Sequence, residues 1–164
     1  MTIRIIQVIS PSINKPSSIT ASDISAEMIK RATGEYIGHN FDGFVKCDIT
    51  QTPFNNNFFD CLIVLAFMHR LPQEIRYKTW EELGRISKKY MVVDYGFDSR
   101  SQRLKKWFIK KVKPNYVPAP SLLPMGEIIT EIILFGWSIK EISYVAYFFS
   151  GKVIFFLEKN KNAN

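Results

Sequence analysis

The sequence predicts an α/β fold, a three-layer sandwich built on a mostly parallel sheet, and three observations lead to it. Strand and helix patterns alternate along most of the 164 residues. The run 59–67 (FDCLIVLAF) is continuously apolar, which is typical of a strand buried inside a parallel sheet. The last two β-rich segments, 137–149 and 152–159, are separated only by Ser150 and Gly151, and this spacing predicts a C-terminal antiparallel hairpin.

Each element has its own local signal. Short β-branched or apolar segments predict further strands at 3–9, 19–22, 44–47 and 90–93. Apolar residues at helical spacing predict helices after Ser25, at 73–88, at 101–112 and at 125–135. We expect the 73–88 helix to bury four side chains, those of Ile75, Trp80, Leu83 and Ile86.

Composition indicates one globular domain over residues 1–164. The chain is 46% hydrophobic and 23% charged, which excludes disordered and fibrous proteins. Its two cysteines, Cys47 and Cys61, are too few for a disulfide scaffold, and two scattered histidines suggest no metal site. No stretch is long and apolar enough for a transmembrane helix, and the first residues do not resemble a signal peptide. We therefore expect a cytoplasmic protein.

Positive charge is concentrated in one segment. The formal net charge is +7, and seven Lys or Arg residues lie between positions 100 and 113. With Leu104, Trp107, Phe108 and Val112 on one face, this segment predicts a basic amphipathic helix in an insertion at 100–124. The cationic face could be merely solvated, could meet an anionic membrane or lipid, or could bind nucleic acid. Nucleic acid is the least favoured, because no nucleic-acid-binding motif is present.

Three predicted strands end in an acid: Asp23, Asp48 and Asp94. In open α/β sheets, ligands bind beyond the carboxyl ends of the strands. The same acids also favour strand-to-loop junctions as caps and turn formers, so both interpretations stay open.

Several segments together resemble class I S-adenosylmethionine-dependent methyltransferases, whose fold is Rossmann-like. The matching segments are ASDISAEMIKRA at 21–32, CDI at 47–49, FFDCLIV at 58–64, ELGRI at 82–86 and FGW at 135–137. The resemblance spans roughly residues 18–159. It is greatest to the subgroup that methylates small molecules, lipids and quinone precursors.

The resemblance implies a cofactor site for S-adenosylmethionine. Asp23 would accept hydrogen bonds from both ribose hydroxyls, although it could instead cap the helix after Ser25. Ile24 and Met28 would flank the adenine, or else belong to the core. Asp48 would bind the adenine amino group, unless it only forms a turn before Thr50. The cofactor site would also include two further residues, Ile49 through its backbone N–H, and Leu65.

Methyl transfer needs alignment of donor and acceptor, and a general base is optional. Candidates for that base follow the fourth and fifth strands of the family pattern: His69, Tyr95 and Asp94. The resemblance places His69 near the sulfur end of the cofactor. His69 could also simply pack over the sheet edge.

One feature departs from the family. The sequence has no glycine before Gly34, whereas the family has a glycine-rich loop after its first strand. Residues 10–18 are also too few for a crossover helix, so either the fold is shortened at the N-terminus or the glycine-rich loop has degenerated. Two hypotheses follow: a methyltransferase acting on a small-molecule or lipid-like acceptor, or a non-catalytic methyltransferase-like scaffold that binds a partner. A sheet edge left open by the shortening would favour a homodimer.

Overall fold

The computed structural model describes residues 19–36, 43–97, 122–145 and 151–160, together with Lys111. These ranges contain six strands: β1 (Thr20–Asp23), β2 (Gly43–Lys46), β3 (Phe59–Val64), β4 (Ser87–Gly96), β5 (Trp137–Val145) and β6 (Lys152–Lys159). They also contain three helices: α1 (Ala26–Tyr36), α2 (Gln73–Ile86) and α3 (Met125–Leu134). The predicted strand at 3–9 and helix at 101–112 lie outside the described residues, apart from Lys111.

The described strands form two sheets. β1 pairs in parallel with β2, and the larger sheet has the order β3-β4-β6-β5. Within it β3 and β4 are parallel, whereas β6 is antiparallel to both β4 and β5. The predicted α/β fold with parallel strands and a C-terminal antiparallel hairpin is therefore confirmed. The expected pairing of two copies through a sheet edge stays a prediction.

The hydrophobic core lies between the larger sheet and the helices α2 and α3. Alternate residues of β4 point to it, because neighbouring side chains of a strand face opposite sides of the sheet. The buried cluster includes Leu62, Val64, Met91, Val93, Tyr95, Val153, Phe155 and Leu157 from the strands, and Trp80, Leu83, Ile86, Ile128 and Ile132 from the helices. Each large apolar side chain buried in this way stabilises the fold by about 1.5–3 kcal/mol.

The inward face of α2 differs from the prediction in one residue. Trp80, Leu83 and Ile86 are fully buried, as expected, but Ile75 is 38% exposed. Arg76 takes the inward position next to it and is buried. The prediction for Ile75 was wrong because an ion pair within the core, described below, uses the turn of α2 that the apolar pattern assigned to isoleucine.

Helix α1 begins as predicted. The Ser25 Oγ accepts a hydrogen bond from the backbone N–H of Met28 at 3.3 Å, which caps the helix. The helix continues through Gly34 to Tyr36 and packs against β1 and β2. None of its residues is fully buried, and Met28, Ile29 and Ala32 are half-buried.

Of the strand boundaries that differ from the prediction, two bear on the site. The apolar run at 59–67 forms a strand only to Val64, because Ala66 has a left-handed backbone with φ 56°. β4 continues to Gly96, since its ladder with β6 extends to the pair Gly96 and Lys152. Asp94 consequently lies inside a strand and not at its end, which corrects the prediction. No helix within the described ranges is long and apolar enough to cross a membrane.

Candidate cofactor and acceptor site

Asp23 is the last residue of β1, and its side chain is buried, with 3% exposure. Its Oδ1 accepts a hydrogen bond from the backbone N–H of Ser25 at 2.8 Å, so the carboxylate shapes the turn into α1. Its backbone oxygen accepts a hydrogen bond from the N–H of Cys47 at 3.1 Å. The carboxyl ends of β1 and β2 are thereby joined.

Asp48 follows β2 at this same edge. Its Oδ1 accepts hydrogen bonds from the backbone N–H and the hydroxyl of Thr50, both at 2.8 Å. This is the turn-forming role that the sequence left open, and the side chain of Asp48 is also exposed to solvent. The neighbouring Ile49 is 4% exposed and belongs to the hydrophobic core.

The two apolar residues predicted to flank a ligand here are accessible. Ile24 is 52% exposed, immediately after Asp23, and Met28 is half-buried on the first turn of α1. The alternative interpretation, that both belong to the core, does not describe Ile24. An exposed isoleucine beside a buried carboxylate provides an apolar surface next to a hydrogen-bond acceptor.

Glu82 of α2 anchors the loop that carries Asp48. The backbone N–H and the hydroxyl of Thr52 both donate to Glu82 Oε1, at 2.7 and 2.6 Å. Arg85 donates to both carboxylate oxygens of Glu82, and its Nη1 donates to Asn56 Oδ1 at 2.8 Å. Residues 52–56 are therefore fixed to the helix by a buried carboxylate.

Burial alone would raise the pKa of the Glu82 carboxyl. Hydrogen bonds from Arg85 and Thr52 stabilise the charged form and outweigh burial, so the pKa of Glu82 is lowered. Sequence reasoning missed this anchor. Its only sequence signal was a glutamate and an arginine three residues apart, a spacing that places them on one face of a helix.

A second group of residues lies where β3 and β4 end. Leu65, directly after β3, is half-buried. The next residue, Ala66, donates its backbone N–H to the Asp94 carboxylate. Asp94 is 6% exposed and uses this bond to connect the loop after β3 to β4.

His69 belongs to a 3₁₀ turn, Met68–Arg70, in that loop. Its Nδ1 is buried and has no hydrogen-bond partner among the described residues. Burial lowers the pKa of the imidazole, and the nearby charge of Asp94 only partly opposes this effect. His69 is therefore neutral at pH 7 and able to accept a proton.

Tyr95 does not join His69. It follows Asp94 in β4, so its side chain points to the opposite face of the sheet, where it is completely buried in the core. Burial, together with the negative charge of Glu131, raises the pKa of the phenol. Sequence reasoning could not assign its face, because apolar residues occupy both faces of this strand.

The two thiols differ in their surroundings. Cys47 is half-buried between the acids at the ends of β1 and β2. Burial raises its pKa, and the charges of Asp48, Glu82 and Asp23 add to that effect. Cys61 is buried in β3, and burial raises its pKa to about 11. Within the described part of the chain, no His, Cys, Asp and Glu side chains group in a way that could hold a metal ion.

Comparison with known proteins identifies the family of the chain. The family described as "Methyltransferase domain" matches residues 6–90, slightly more than half of the chain. The chain belongs to this methyltransferase domain family. The match includes β1 to α2, and thus Asp23, Asp48, His69 and Glu82. No curated protein matches the sequence.

Solved methyltransferases have the same fold. Magnesium protoporphyrin IX methyltransferase from Synechocystis PCC 6803, with bound SAH (S-adenosylhomocysteine), is 17% identical, with a TM-score of 0.71 over 86% of this chain. This chain spans 64% of that protein's length. A SAM-dependent methyltransferase from Methanosarcina mazei is 14% identical, with a TM-score of 0.65 over 87% of this chain and 82% of its own. A SAM-dependent methyltransferase from Aquifex aeolicus is 16% identical, with a TM-score of 0.61 over 85% of this chain and 68% of its own.

Proposed function

We propose that this protein binds S-adenosylmethionine and transfers its methyl group to a small-molecule or lipid-like acceptor. One observation carries the proposal. Asp23 ends β1 and Asp48 follows the adjacent parallel strand β2 at the same edge, and these strand ends are joined by the hydrogen bond from Cys47 N–H to the Asp23 backbone oxygen. Family membership and the solved methyltransferases support the choice of cofactor.

The residues at this edge fit a nucleoside. The Asp23 carboxylate offers acceptors to ribose hydroxyls, which are donors. Ile24 and Met28 offer apolar contacts to a base, and Asp48 lies two residues beyond the end of the neighbouring strand β2. The backbone N–H of Ile49 follows as a donor. Leu65 completes the proposed binding set from the loop after β3.

When bound, the cofactor would supply an electrophilic methyl group on a sulfonium sulfur, which leaves as a neutral thioether. The chain's own residues align the acceptor and receive its proton. We assign proton acceptance to His69, because it lies in the loop beyond the carboxyl end of β3 and its side chain is only half-buried, unlike that of Tyr95. Tyr95 has no part in this proposal, since its hydroxyl is enclosed in the core.

Calorimetry with S-adenosylmethionine and SAH tests the cofactor site. Wild type should bind both with micromolar dissociation constants. Asp23→Asn keeps an oxygen that can accept from Ser25 N–H but removes the charge that the ribose would meet. Loss of charge-assisted hydrogen bonds worth about 1.5–3 kcal/mol should weaken binding about 10- to 100-fold.

The matched control is Asp60→Asn. Asp60 lies near the start of β3, half-exposed and paired with Lys88 at 3.0 Å, at the opposite end of the strand from the proposed site. The Asp60→Asn variant should bind SAH as the wild-type protein does. If wild-type protein with a folded circular dichroism spectrum gives no heat with either compound, the methyltransferase proposal is wrong.

The acceptor class rests on charge. Seven cations between positions 100 and 113 follow β4, the strand that carries Asp94. Lys111, which the structure describes, is exposed. Such a segment attracts anionic acceptors or an anionic lipid surface. Cosedimentation with vesicles separates these cases. A segment that binds an anionic lipid surface should sediment with vesicles that contain phosphatidylglycerol and not with vesicles that lack it, whereas a segment that only attracts a small anionic acceptor should sediment with neither.

Charge-reversal variants sharpen that experiment. Cosedimentation with anionic vesicles should be lost in a triple variant, Lys105→Glu, Lys106→Glu and Lys110→Glu. It should be kept in a control of equal charge change on exposed residues elsewhere, Lys30→Glu, Lys46→Glu and Lys78→Glu. Equal loss in both would show that net charge alone governs the interaction.

A non-catalytic scaffold is the second candidate function. The observation that favours it is the absence of any glycine before Gly34, where the family has its glycine-rich loop at the methionyl end of the cofactor. The two functions differ in one result. A scaffold would fold and bind neither S-adenosylmethionine nor SAH in calorimetry.

A further inference from the structure

The Asp94 side chain stabilises an unusual backbone conformation of Ala66, in the loop after β3. Ala66 has φ 56°, in the left-handed region that residues with a Cβ rarely adopt. Its backbone N–H donates to the buried Asp94 carboxylate. This hydrogen bond joins the loop after β3 to the neighbouring strand β4, so it fixes the direction in which the chain leaves β3.

Gly96 lies two residues further along β4 and points to the same face as Asp94. A Cβ at this position would lie 2.7 Å from Leu122 Cδ2 and 3.5 Å from the Cδ2 of His69. The imidazole therefore packs directly over the glycine backbone. An alanine at this position would displace the Leu122 side chain and put a methyl group in van der Waals contact with the imidazole.

Among the described residues, three charged groups affect the pKa of the imidazole. Asp94 of β4 favours the protonated ring, whereas Lys152 of β6 and Arg70 of the turn itself disfavour it. Burial is the largest effect and also disfavours protonation. Asp94 thus acts on His69 in two ways, through the loop backbone and through its charge.

We propose that Asp94 and Gly96 are positioning residues that hold the His69 imidazole at the acceptor end of the site. The inference rests on the proposed function. In the reaction, a lone pair of the acceptor attacks the methyl carbon and the bond from that carbon to sulfur breaks, with its electron pair returning to sulfur. The acceptor's proton passes to His69, which becomes an imidazolium and later releases the proton to solvent.

Asp94 variants separate its two roles. Asp94→Asn keeps an oxygen that can accept from Ala66 N–H but removes the charge, whereas Asp94→Ala removes both. In NMR experiments, Asp94→Asn should lower the pKa of His69 and leave the Ala66 amide protected. Asp94→Ala should speed hydrogen exchange of the Ala66 amide at least about tenfold. His69→Gln identifies the His69 signals, since the chain has two histidines.

Gly96→Ala should move the His69 ring resonances while the Ala66 amide stays protected. Val92→Ala is the control, because Val92 is half-buried in the same strand and points to the same face as Asp94. It should leave both signals as in wild type. If Asp94→Ala changes neither the Ala66 amide nor the His69 ring, the positioning role is wrong.

SAH is the probe that relates this geometry to the site. It should shift the His69 resonances in wild type but not in Asp94→Ala, although calorimetry should give that variant an affinity within about threefold of wild type. An identical shift in Asp94→Ala would overturn the inference. Absence of SAH binding to wild type would overturn the proposed function instead. The resonances of the unliganded variants would still decide whether Asp94 and Gly96 position the ring.

Discussion

Arg76 of α2 and Glu131 of α3 form an ion pair inside the protein, with 4% and 2% of their side chains exposed. Arg76 Nε donates to both carboxylate oxygens, at 3.0 and 2.7 Å, and Nη1 donates to the Leu71 oxygen at 3.0 Å. Burial alone would lower the pKa of Arg76, but the hydrogen bonds with Glu131 outweigh it and raise the pKa. The pair therefore connects two helices to the end of the loop that carries His69.

Arg76→Met should lower the free energy of unfolding by about 3–5 kcal/mol, because it leaves the Glu131 carboxylate buried without its partner. Urea unfolding followed by circular dichroism measures the change. The matched control is Arg31→Met, which breaks an exposed pair with Glu35 and should cost less than about 1 kcal/mol. Equal losses in the two variants would contradict the assignment.

Adding Glu131→Leu to Arg76→Met should recover much of the lost stability. The double variant removes the unpaired buried charge and replaces it with apolar volume. Arg76 also donates to Glu127 at 3.2 Å, but that carboxylate is 42% exposed and remains solvated without its partner. A double variant no more stable than Arg76→Met would indicate that packing, and not the buried charge, dominates the loss.

Glu82 should give the protein a pH-dependent stability. Its pKa in the folded state is lowered from its ordinary value of 4.5, so its contribution is fully present above that value. The contribution is lost as the pH falls from about 4.5 through the lowered folded pKa, because the unfolded chain then binds the proton more readily. Glu82→Gln should remove this part of the pH dependence.

Urea unfolding of wild type and Glu82→Gln between pH 3 and pH 7 checks the sign. The difference in their free energies of unfolding should be constant at neutral pH and should shrink as the pH falls below about 4.5. A difference that grows on acidification would contradict the lowered pKa. The matched control is Glu74→Gln, because Glu74 is an exposed glutamate in the first turn of the same helix.

The parts of the site that sequence predicted depend on local signals. The cap at Ser25, the end of β1 at Asp23 and the turn at Asp48 each involve hydrogen bonds between residues two or three apart. Such bonds form within one short segment, so residue type and spacing are enough to indicate them. The C-terminal hairpin was predictable for the same reason.

The parts that sequence missed depend on distant partners. Thr52 and Glu82 are 30 residues apart, and Arg76 and Glu131 are 55 apart. The length of β4 was missed because its ladder with β6 decides where it ends. The face of Tyr95 was missed because strand periodicity places Asp94 and Tyr95 on opposite sides without stating which side is the core. Only the packing of α2 and α3 decides that.

The end of α3 provides a test of backbone conformation. Gly136 has φ 78° and donates its N–H to the Ile133 oxygen at 3.0 Å, so it terminates the helix in the left-handed region. Gly136→Ala should cost about 1–2 kcal/mol of unfolding free energy. Gly126→Ala, on the exposed side of α3 with no heavy atom within 4 Å of a Cβ, should instead gain up to about 1 kcal/mol. Opposite signs in urea unfolding are the expected result.

Alkylation of the two cysteines tests the position of the cofactor site. With a pKa of about 11, Cys61 has a thiolate fraction of only about one in a thousand at pH 8, and it is buried. Iodoacetamide should therefore modify Cys47 at least about tenfold faster in the native protein, measured on Cys61→Ala and Cys47→Ala, which each keep one thiol. In urea the two rates should converge.

Because Cys47 lies between Asp23 and Asp48, SAH should slow its alkylation and leave that of Cys61 unchanged. Unaltered Cys47 reactivity in protein that calorimetry shows to be saturated with SAH would place the cofactor away from the ends of β1 and β2.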